Sequence, residues 1–172
     1  MPASDPAWRL ILVGAGQVSE HLARIAPALD FAVLLNEPRE DRRAAWPLAG
    51  SDWLAGAPDE AVHNARPDAR TAVLALTHVP ELDDAALAAA LETGAFYVGA
   101  IGSRANAAAR RARLAARGVD ATRLDRLCAP IGLAIGSRTP AEIAVSILAE
   151  LIQQRRRHDD AADAPRCVAG QS

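Results

Sequence analysis

The sequence contains no lysine, and all 19 of its basic residues are arginines. A Schiff-base mechanism and the phosphate contact of a Walker-type nucleotide site both require a lysine, so both are excluded. Any group that binds an anion here must be an arginine side chain or a backbone N–H. The formal net charge is only −2, so the charge balance does not indicate a nucleic-acid partner.

Aromatic residues and cysteines are also scarce. Aromatic side chains make up 3% of the chain, so we expect a core of small aliphatic side chains. The two cysteines, Cys128 and Cys167, form no CxxC pair, and we expect neither a metal site nor a disulfide. No apolar run reaches the roughly 18 residues of a membrane-spanning helix, and the N-terminus lacks signal-peptide features. We therefore expect a cytoplasmic protein with no membrane partner.

Short apolar runs alternate with helical segments along the 172 residues, a length that suits one domain. The runs predicted as buried strands are residues 9–13, 31–35, 71–76 and 95–98. This alternation predicts a single α/β domain with a Rossmann-like three-layer fold, in which helices cover both faces of a mostly parallel sheet. We place this domain at residues 8–157, between a flexible N-terminus at 1–7 and a disordered tail at 158–172.

The segment that follows the first strand has the pattern of a phosphate-binding turn. Gly14 permits a tight turn, and Gly16 lets the backbone approach a phosphate at the positive end of the following helix. Ser19 stands where the usual third glycine lies and is small enough for close packing. The candidate cofactor contacts are Gly14, Gly16, Gln17, Val18 and Ser19. The alternative is a purely structural turn.

The end of the second strand carries an acid about 20 residues beyond these glycines. An acid at this distance normally contacts ribose hydroxyls, so Glu37 is a candidate ribose contact. Arg39, two residues later, would instead favour a ligand with an additional phosphate. The alternative is a surface turn that begins at Pro38.

At the end of the third strong strand, Thr77 and His78 are candidate ligand contacts, and His78 also has the chemistry of a general acid or base. The alternative is that His78 is a surface histidine whose hydrogen bonds are made within the protein or to water.

Two further glycine-containing segments lie where strands end. In the first, Gly99, Gly102, Ser103 and Arg104 form a candidate second anion cradle, and we place Arg104 inside the cleft. The arginines on the helix that follows are interpreted as a solvated face; they are Arg110, Arg111, Arg113 and Arg117. In the second segment, Thr139 and Glu142 form a capping box with Pro140 at the first helical position.

The capping box does not explain Gly132, Gly136 and Arg138, which we assign to a ligand or partner. Thr139 and Glu142 are also candidate cofactor contacts. The helix that follows carries an apolar stripe of Ile143, Ile147, Leu148, Leu151 and Ile152. This stripe either packs on the sheet or supports a homodimer.

Taken together, these motifs resemble the XdhC/CoxI family, the accessory factors of xanthine and carbon monoxide dehydrogenases, over residues 8–157. The most specific segments are residues 97–104 (YVGAIGSR) and 130–150 (PIGLAIGSRTPAEIAVSILAE). The family's GAG, DPR and LTH motifs fall on residues 14–16, 37–39 and 76–78. Two residues depart from the family pattern: Glu37 replaces an aspartate, and Val79 stands where an aspartate commonly follows.

The resemblance implies a non-catalytic, chaperone-like role. A family member binds molybdenum cofactor and aids its insertion into a molybdenum hydroxylase, which would be the partner of this chain. The cofactor is a pterin that carries a phosphate, either as molybdopterin or as its cytidine dinucleotide. The resemblance is to the Rossmann half of longer members, so we do not move the cysteine-based molybdenum binding of their N-terminal domain to Cys128.

Two other hypotheses remain open. The glycine-rich turn and Glu37 also fit an NAD(P)-dependent oxidoreductase, although the absence of lysine excludes a Tyr-x-x-x-Lys pair. A regulatory or scaffolding domain with a degenerate nucleotide site is the third hypothesis, in which the arginine-rich helix would be a docking face.

Overall fold

The structure, a computed structural model, describes residues 8–163 and confirms the α/β fold. Its strands are β1 (Trp8–Val13), β2 (Phe31–Asn36), β3 (Asp52–Trp53), β4 (Thr71–Ala75), β5 (Tyr97–Ala100) and β6 (Leu127–Cys128). Its helices are α1 (Gln17–Ile25), α2 (Glu40–Ala44), α3 (Pro58–Ala65), α4 (Pro80–Leu91), α5 (Arg104–Ala116), α6 (Ala121–Leu124) and α7 (Pro140–Asp163).

The six strands form one parallel sheet in the order β3-β2-β1-β4-β5-β6. The chain first moves from β1 towards one edge of the sheet and then returns to place β4 on the other side of β1. Loops that follow β1 and β4 therefore diverge, and a crevice opens between them at the carboxyl ends of the strands. The order of strands thus places the expected binding site next to the turn at Gly14–Ser19.

Alternate residues of β1 build the two layers of the core. Leu10 and Leu12 face the side of the sheet covered by α1 and α7, while Ile11 and Val13 face the side covered by α3, α4 and α5. All four side chains are fully buried. A strand buried on both faces needs apolar residues at every position, which explains why this strand reads as a continuous apolar run.

The last helix begins where the capping box predicts. The N–H of Glu142 donates to the hydroxyl of Thr139, and the N–H of Thr139 donates to the Glu142 carboxylate. Ile143, Ile147, Leu148 and Leu151 of the α7 stripe pack into the core of the same chain. The structure therefore shows the intramolecular packing that was one of the two expectations for this stripe.

The predicted boundary at residue 157 is wrong, because α7 continues to Asp163. The guanidinium of Arg155 lies over the rings of Trp8 and Phe31, and its Nη1 donates to the Leu29 carbonyl. The imidazole of His158 packs against Trp8 and Phe96. These contacts hold the helix on the domain beyond the expected end. The predicted N-terminal segment at 1–7 and the rest of the tail, 164–172, lie outside the described residues.

Two short helical segments complete the fold. The first helix ends at Ile25, and a 3₁₀ turn at Ala26–Leu29 follows because Pro27 cannot donate a helical hydrogen bond. The charged stretch after Glu37 contains the short helix α2. Among the described helices, none is long and apolar enough to cross a membrane.

Gly99, a predicted cofactor contact, is a packing residue within β5. It is buried in the strand, and a Cβ at this position would collide with the Ile131 side chain and the Tyr97 ring. The assignment of Gly99 to a ligand is therefore wrong: the residue lets Ile131 approach the sheet.

We expect Gly99→Ala to lower the free energy of unfolding by about 1–3 kcal/mol, because the added methyl group forces the core to shift. Urea unfolding measures this change. Gly94→Ala is the matched control, since nothing lies within 4 Å of the methyl group it would add. Equal stability of the two variants would contradict the packing role.

Candidate functional site

A cleft of about 500 Å³, called the main cleft below, lies at the carboxyl ends of β1 and β4. It brings together the first turn of α1, the β4–α4 turn, α2 and the start of α7. Its lining residues are Gly16, Gln17, Val18, Ser19, Arg39, Arg42, Leu76, Thr77, His78, Ile101, Pro140 and Ile143. Seven of the sequence-predicted contacts are among them: Gly16, Gln17, Val18, Ser19, Arg39, Thr77 and His78.

The N-terminus of α1 faces the main cleft without a side-chain cap. The N–H groups of a first helical turn have no partner within the helix, and they carry the positive end of the helix dipole. Ser19 does not cap this turn, because its buried hydroxyl donates to the Gly14 carbonyl at 2.5 Å. The arrangement is that of an anion-binding helix terminus.

The two glycines of this turn have different roles. Gly14 has φ +112°, and a Cβ there would lie 2.9 Å from the backbone of Leu76 and Thr77. Gly14 is therefore required by the contact between the β1 turn and the end of β4. At Gly16 the backbone is extended, and nothing lies within 4 Å of the point that a Cβ would occupy. Only Gly16 leaves space that a ligand can use.

The carboxylate of Glu37 is buried and fully engaged by the protein. One oxygen accepts hydrogen bonds from the N–H of Ala15 and from Nη2 of Arg39, and the other accepts from the N–H and Nε of Arg39. The predicted ribose contact of Glu37 does not fit this arrangement. Glu37 instead joins the end of β2 to the glycine-rich turn and orients Arg39.

Burial has the largest single influence on the pKa of Glu37 and raises it, but the hydrogen bonds from Arg39 and Ala15 outweigh burial. The pKa of Glu37 therefore lies below its usual value of 4.5, and the carboxylate stays ionised. Arg39 lies beside it on the wall of the main cleft, together with Arg42 from α2. Sequence reasoning missed Arg42, because the position of a short helix within a charged stretch decides which of its arginines reaches the cleft.

The turn after β4 is held by Thr77 and exposes His78. The Thr77 hydroxyl donates to Asp83 at 2.6 Å and accepts the N–H of Val79 at 3.0 Å. His78 between them has φ +63°, a conformation that is rare for residues other than glycine. Thr77 thus positions the turn, and the exposed imidazole of His78 projects at the cleft.

The predicted anion cradle at 99–104 is assembled differently. The Ser103 hydroxyl caps α5 by accepting the N–H of Asn106 at 3.1 Å. Arg104 is exposed and does not line the main cleft, so its predicted place inside the cleft is wrong. Gly102 has φ +144° and lies at a smaller pocket beside the cleft.

The arginines of α5 do not form a solvated face. Arg113 donates to Asp84 through Nε and Nη2, at 2.5 and 3.2 Å, and Arg110 is buried 3.5 Å from Asp83. Arg111 donates to the carbonyls of Leu124 and Leu127. Of the four, only Arg117 is exposed as predicted.

Asp83 and Asp84 lie on α4, so only the packing of two helices reveals their partners. Burial, as the dominant cause, raises the pKa of Asp83 above its usual value, although Thr77 and Arg110 act in the opposite direction.

The stretch from 130 to 142 is mainly structural. The N–H of Gly132 donates to Glu150 at 2.6 Å, and the Tyr97 hydroxyl donates to the same carboxylate oxygen. The Glu142 carboxylate accepts the N–H groups of Arg138 and Thr139. None of Gly132, Gly136, Arg138, Thr139 and Glu142 lines the main cleft, and their assignment to a ligand or partner stays a prediction. On the α7 side, Pro140 and Ile143 form the wall of the main cleft.

Within residues 8–163, no group of three or more histidine, cysteine, aspartate or glutamate side chains could hold a metal ion. The main cleft therefore offers backbone N–H groups, guanidinium groups, an imidazole and apolar side chains as its binding chemistry.

Comparisons with known proteins bear on this site. Residues 10–151 match a family described as the XdhC Rossmann domain. Over 150 residues the chain is 33% identical to the uncharacterized protein YqeB of Escherichia coli K12, which covers 84% of this chain. Over 154 residues it is 30% identical to a Bacillus subtilis protein described as a probable xanthine dehydrogenase subunit, which covers 89% of this chain.

A solved structure from Bacillus halodurans, described as a xanthine dehydrogenase, superposes with a TM-score of 0.75 at 29% identity and covers 92% of this chain. The chain spans only 27% of the Escherichia coli protein, 44% of the Bacillus subtilis protein and 46% of the solved chain. It therefore corresponds to one part of these longer proteins.

We expect Glu37→Gln to lower the free energy of unfolding by about 1–3 kcal/mol at pH 7, because an amide cannot accept all of the bonds that the carboxylate accepts. Since the folded pKa of Glu37 is depressed, its contribution is present above about pH 4.5 and is lost as the pH falls through the folded value. The deficit of the variant must therefore shrink in acid.

Denaturant unfolding between pH 7 and pH 3 measures this deficit. Glu20→Gln is the control, because its i,i+4 pair with Arg24 is solvent-exposed and contributes little. A deficit for Glu37→Gln that does not change across this pH range would contradict the role of the ionised carboxylate.

Proposed function

This chain belongs to the XdhC family through its Rossmann domain, and we propose that it is an accessory protein that binds molybdenum cofactor in the main cleft. In this proposal the cofactor is cargo, and a molybdenum hydroxylase of the xanthine dehydrogenase type receives it. The observation that carries the proposal is the uncapped N-terminus of α1, which faces a cleft that also holds two arginines.

The phosphate of the cofactor fits the end of the cleft formed by α1. The first-turn N–H groups at Gln17 and Val18 supply donors, and the helix dipole favours negative charge there. Arg39 and Arg42 add guanidinium groups, which bind phosphate oxygens in pairs. Arg39 is held in place by Glu37, so little side-chain entropy is lost when it contacts a phosphate.

The pterin ring system fits the other end of the cleft. Leu76, Ile101, Pro140 and Ile143 supply apolar walls for a flat ring, and His78 supplies a hydrogen-bonding edge. The cleft volume of about 500 Å³ lies within the range of small-molecule sites. The contacts are those of a binding protein: phosphate at one end, and a ring between apolar side chains at the other.

An NAD(P)-binding oxidoreductase is the second candidate, since the strand order and the glycine-rich turn are those of dinucleotide-binding folds. The engaged carboxylate of Glu37 argues against it, because that carboxylate would have to release Ala15 or Arg39 to contact a ribose. We therefore favour the cofactor-carrier role.

Titration calorimetry with molybdopterin, its cytidine dinucleotide form, NADH and NADPH separates these functions. We expect a molybdenum cofactor form to bind with a dissociation constant in the micromolar range, near −8 kcal/mol, and the nicotinamide dinucleotides to bind far more weakly. Tighter binding of NADH or NADPH would replace the proposal with the second candidate. Binding of none of the four would leave a regulatory domain with a degenerate site.

We expect Gly16→Val to weaken cofactor binding by about a hundredfold or more, because its side chain fills the space where the phosphate approaches the α1 N-terminus. The fold should be retained, since no atom lies within 4 Å of the position of its Cβ. Gly14→Val is unsuitable for this test, because its Cβ would collide with backbone.

The matched control for this test is Gly94→Val, whose Cβ also meets nothing within 4 Å and which lies away from the cleft. Calorimetry gives the affinity, and thermal unfolding followed by circular dichroism checks the fold. An unchanged affinity in a folded Gly16→Val protein would remove the phosphate from this position.

A further inference from the structure

A second, smaller pocket of about 130 Å³, called the side pocket here, adjoins the main cleft. It lies between the end of β5 and the first three turns of α5. Gly102, Asn106, Arg110 and Arg113 line it, and it shares His78 and Ile101 with the main cleft. None of the residues from Asn106 to Arg113 belongs to the function proposed above.

The two guanidinium groups of the side pocket are held in place by buried acids. Asp84 fixes Arg113 through Nε and Nη2. Nη1 of Arg110 donates a hydrogen bond to the Ile101 carbonyl at 3.1 Å, and Nη2 of Arg110 donates to the Asp83 carboxylate at 3.5 Å. An arginine that is already immobilised loses less entropy when it binds a ligand.

These contacts leave donors available. Among the described residues, Nη1 of Arg113 and one N–H on each terminal nitrogen of Arg110 have no hydrogen-bond partner. The wall of the side pocket includes both arginines and His78 but no carboxylate, because Asp83 and Asp84 lie behind the guanidinium groups. The pocket therefore presents positive groups to whatever enters it.

The size of the side pocket restricts the ligand. Its 130 Å³ corresponds to the space of about four water molecules. One tetrahedral oxyanion fits this space, and the positive lining favours an anion over an uncharged ring. The positive end of the α5 dipole lies beside the pocket and favours the same charge.

We propose that the side pocket is an oxyanion subsite that takes a phosphate group, either as a free ion or as part of a ligand in the main cleft. His78 lines both spaces, and the turn that carries it is held by the hydrogen bonds of the Thr77 hydroxyl with Asp83 and Val79. The subsite rests on Arg110 and Arg113 and goes beyond the proposed cofactor role, because inorganic phosphate alone tests it.

The experiment follows the backbone amide NMR signals of the full chain while inorganic phosphate is added up to about 10 mM at low ionic strength. We expect the signals of Gly102 and Asn106 to shift and to saturate. Arg113→Lys keeps a charge opposite Asp84 but removes the planar fork, and we expect it to weaken phosphate binding by about tenfold. Arg117→Gln, at the exposed end of the same helix, should change the affinity by less than about twofold.

Two further variants keep the test decisive. Asn106→Ala removes an exposed amide that lines the pocket without breaking an ion pair, so it reports on binding even if Arg113→Lys unfolds. Gly16→Val blocks the main cleft, and the shifts at Gly102 and Asn106 should persist in it. If these shifts persist while molybdenum cofactor does not bind the unmodified chain, the subsite stands and the proposed function fails.

A parallel titration with cytidine monophosphate distinguishes the sources of the phosphate group. Shifts at both Gly102 and the α1 amides, in competition with inorganic phosphate, would indicate that the phosphate of a ligand occupies the subsite. Shifts with inorganic phosphate alone would indicate a free ion. The proposal is overturned if phosphate shifts only the α1 amides, or if neither Arg113→Lys nor Asn106→Ala, when folded, changes the affinity.

Discussion

The geometry of the main cleft depends on the carboxylate of Glu37. This group lies at the end of β2 and accepts the N–H of Ala15 in the glycine-rich turn, as well as the backbone and guanidinium of Arg39. Because it is buried, these donors replace the water that an ionised carboxylate needs. One buried charge thus fixes both the loop that presents the α1 N-terminus and the arginine beside it.

A second set of buried charges organises the other side of the cleft. Asp83 and Asp84 on α4 meet Arg110 and Arg113 on α5, and Asp83 also holds Thr77 in the turn that carries His78. The desolvation of such pairs makes them weak evidence for stability, but each fixes a geometry. Acids inside the protein thus position Arg39 in the main cleft and Arg110 and Arg113 in the side pocket, so a chain of net charge −2 presents positive groups to both spaces.

The local patterns in the sequence were sufficient for the fold and for part of the site. Apolar runs predicted the main strands, and the Thr139–Glu142 capping box predicted the start of α7. Seven predicted contacts lie in the main cleft, because strand order brings the ends of β1 and β4 together. Gly99 and Arg104 were assigned wrongly. A glycine required for packing and one required for a ligand look the same in sequence, and the sequence does not show which side chains face the cleft.

The sequence by itself determined the alternation of strands and helices, the turn at Gly14–Ser19 and the exclusion of lysine chemistry, because these depend on neighbouring residues and on composition. Only the tertiary structure decided which polar groups remain for a ligand. Glu37, Thr77 and Ser19 are occupied by the protein itself, while Arg42, Arg110 and Arg113 reach pockets. The physical reason is that a hydrogen bond between distant segments consumes a donor or acceptor, and the sequence does not show which distant segments meet.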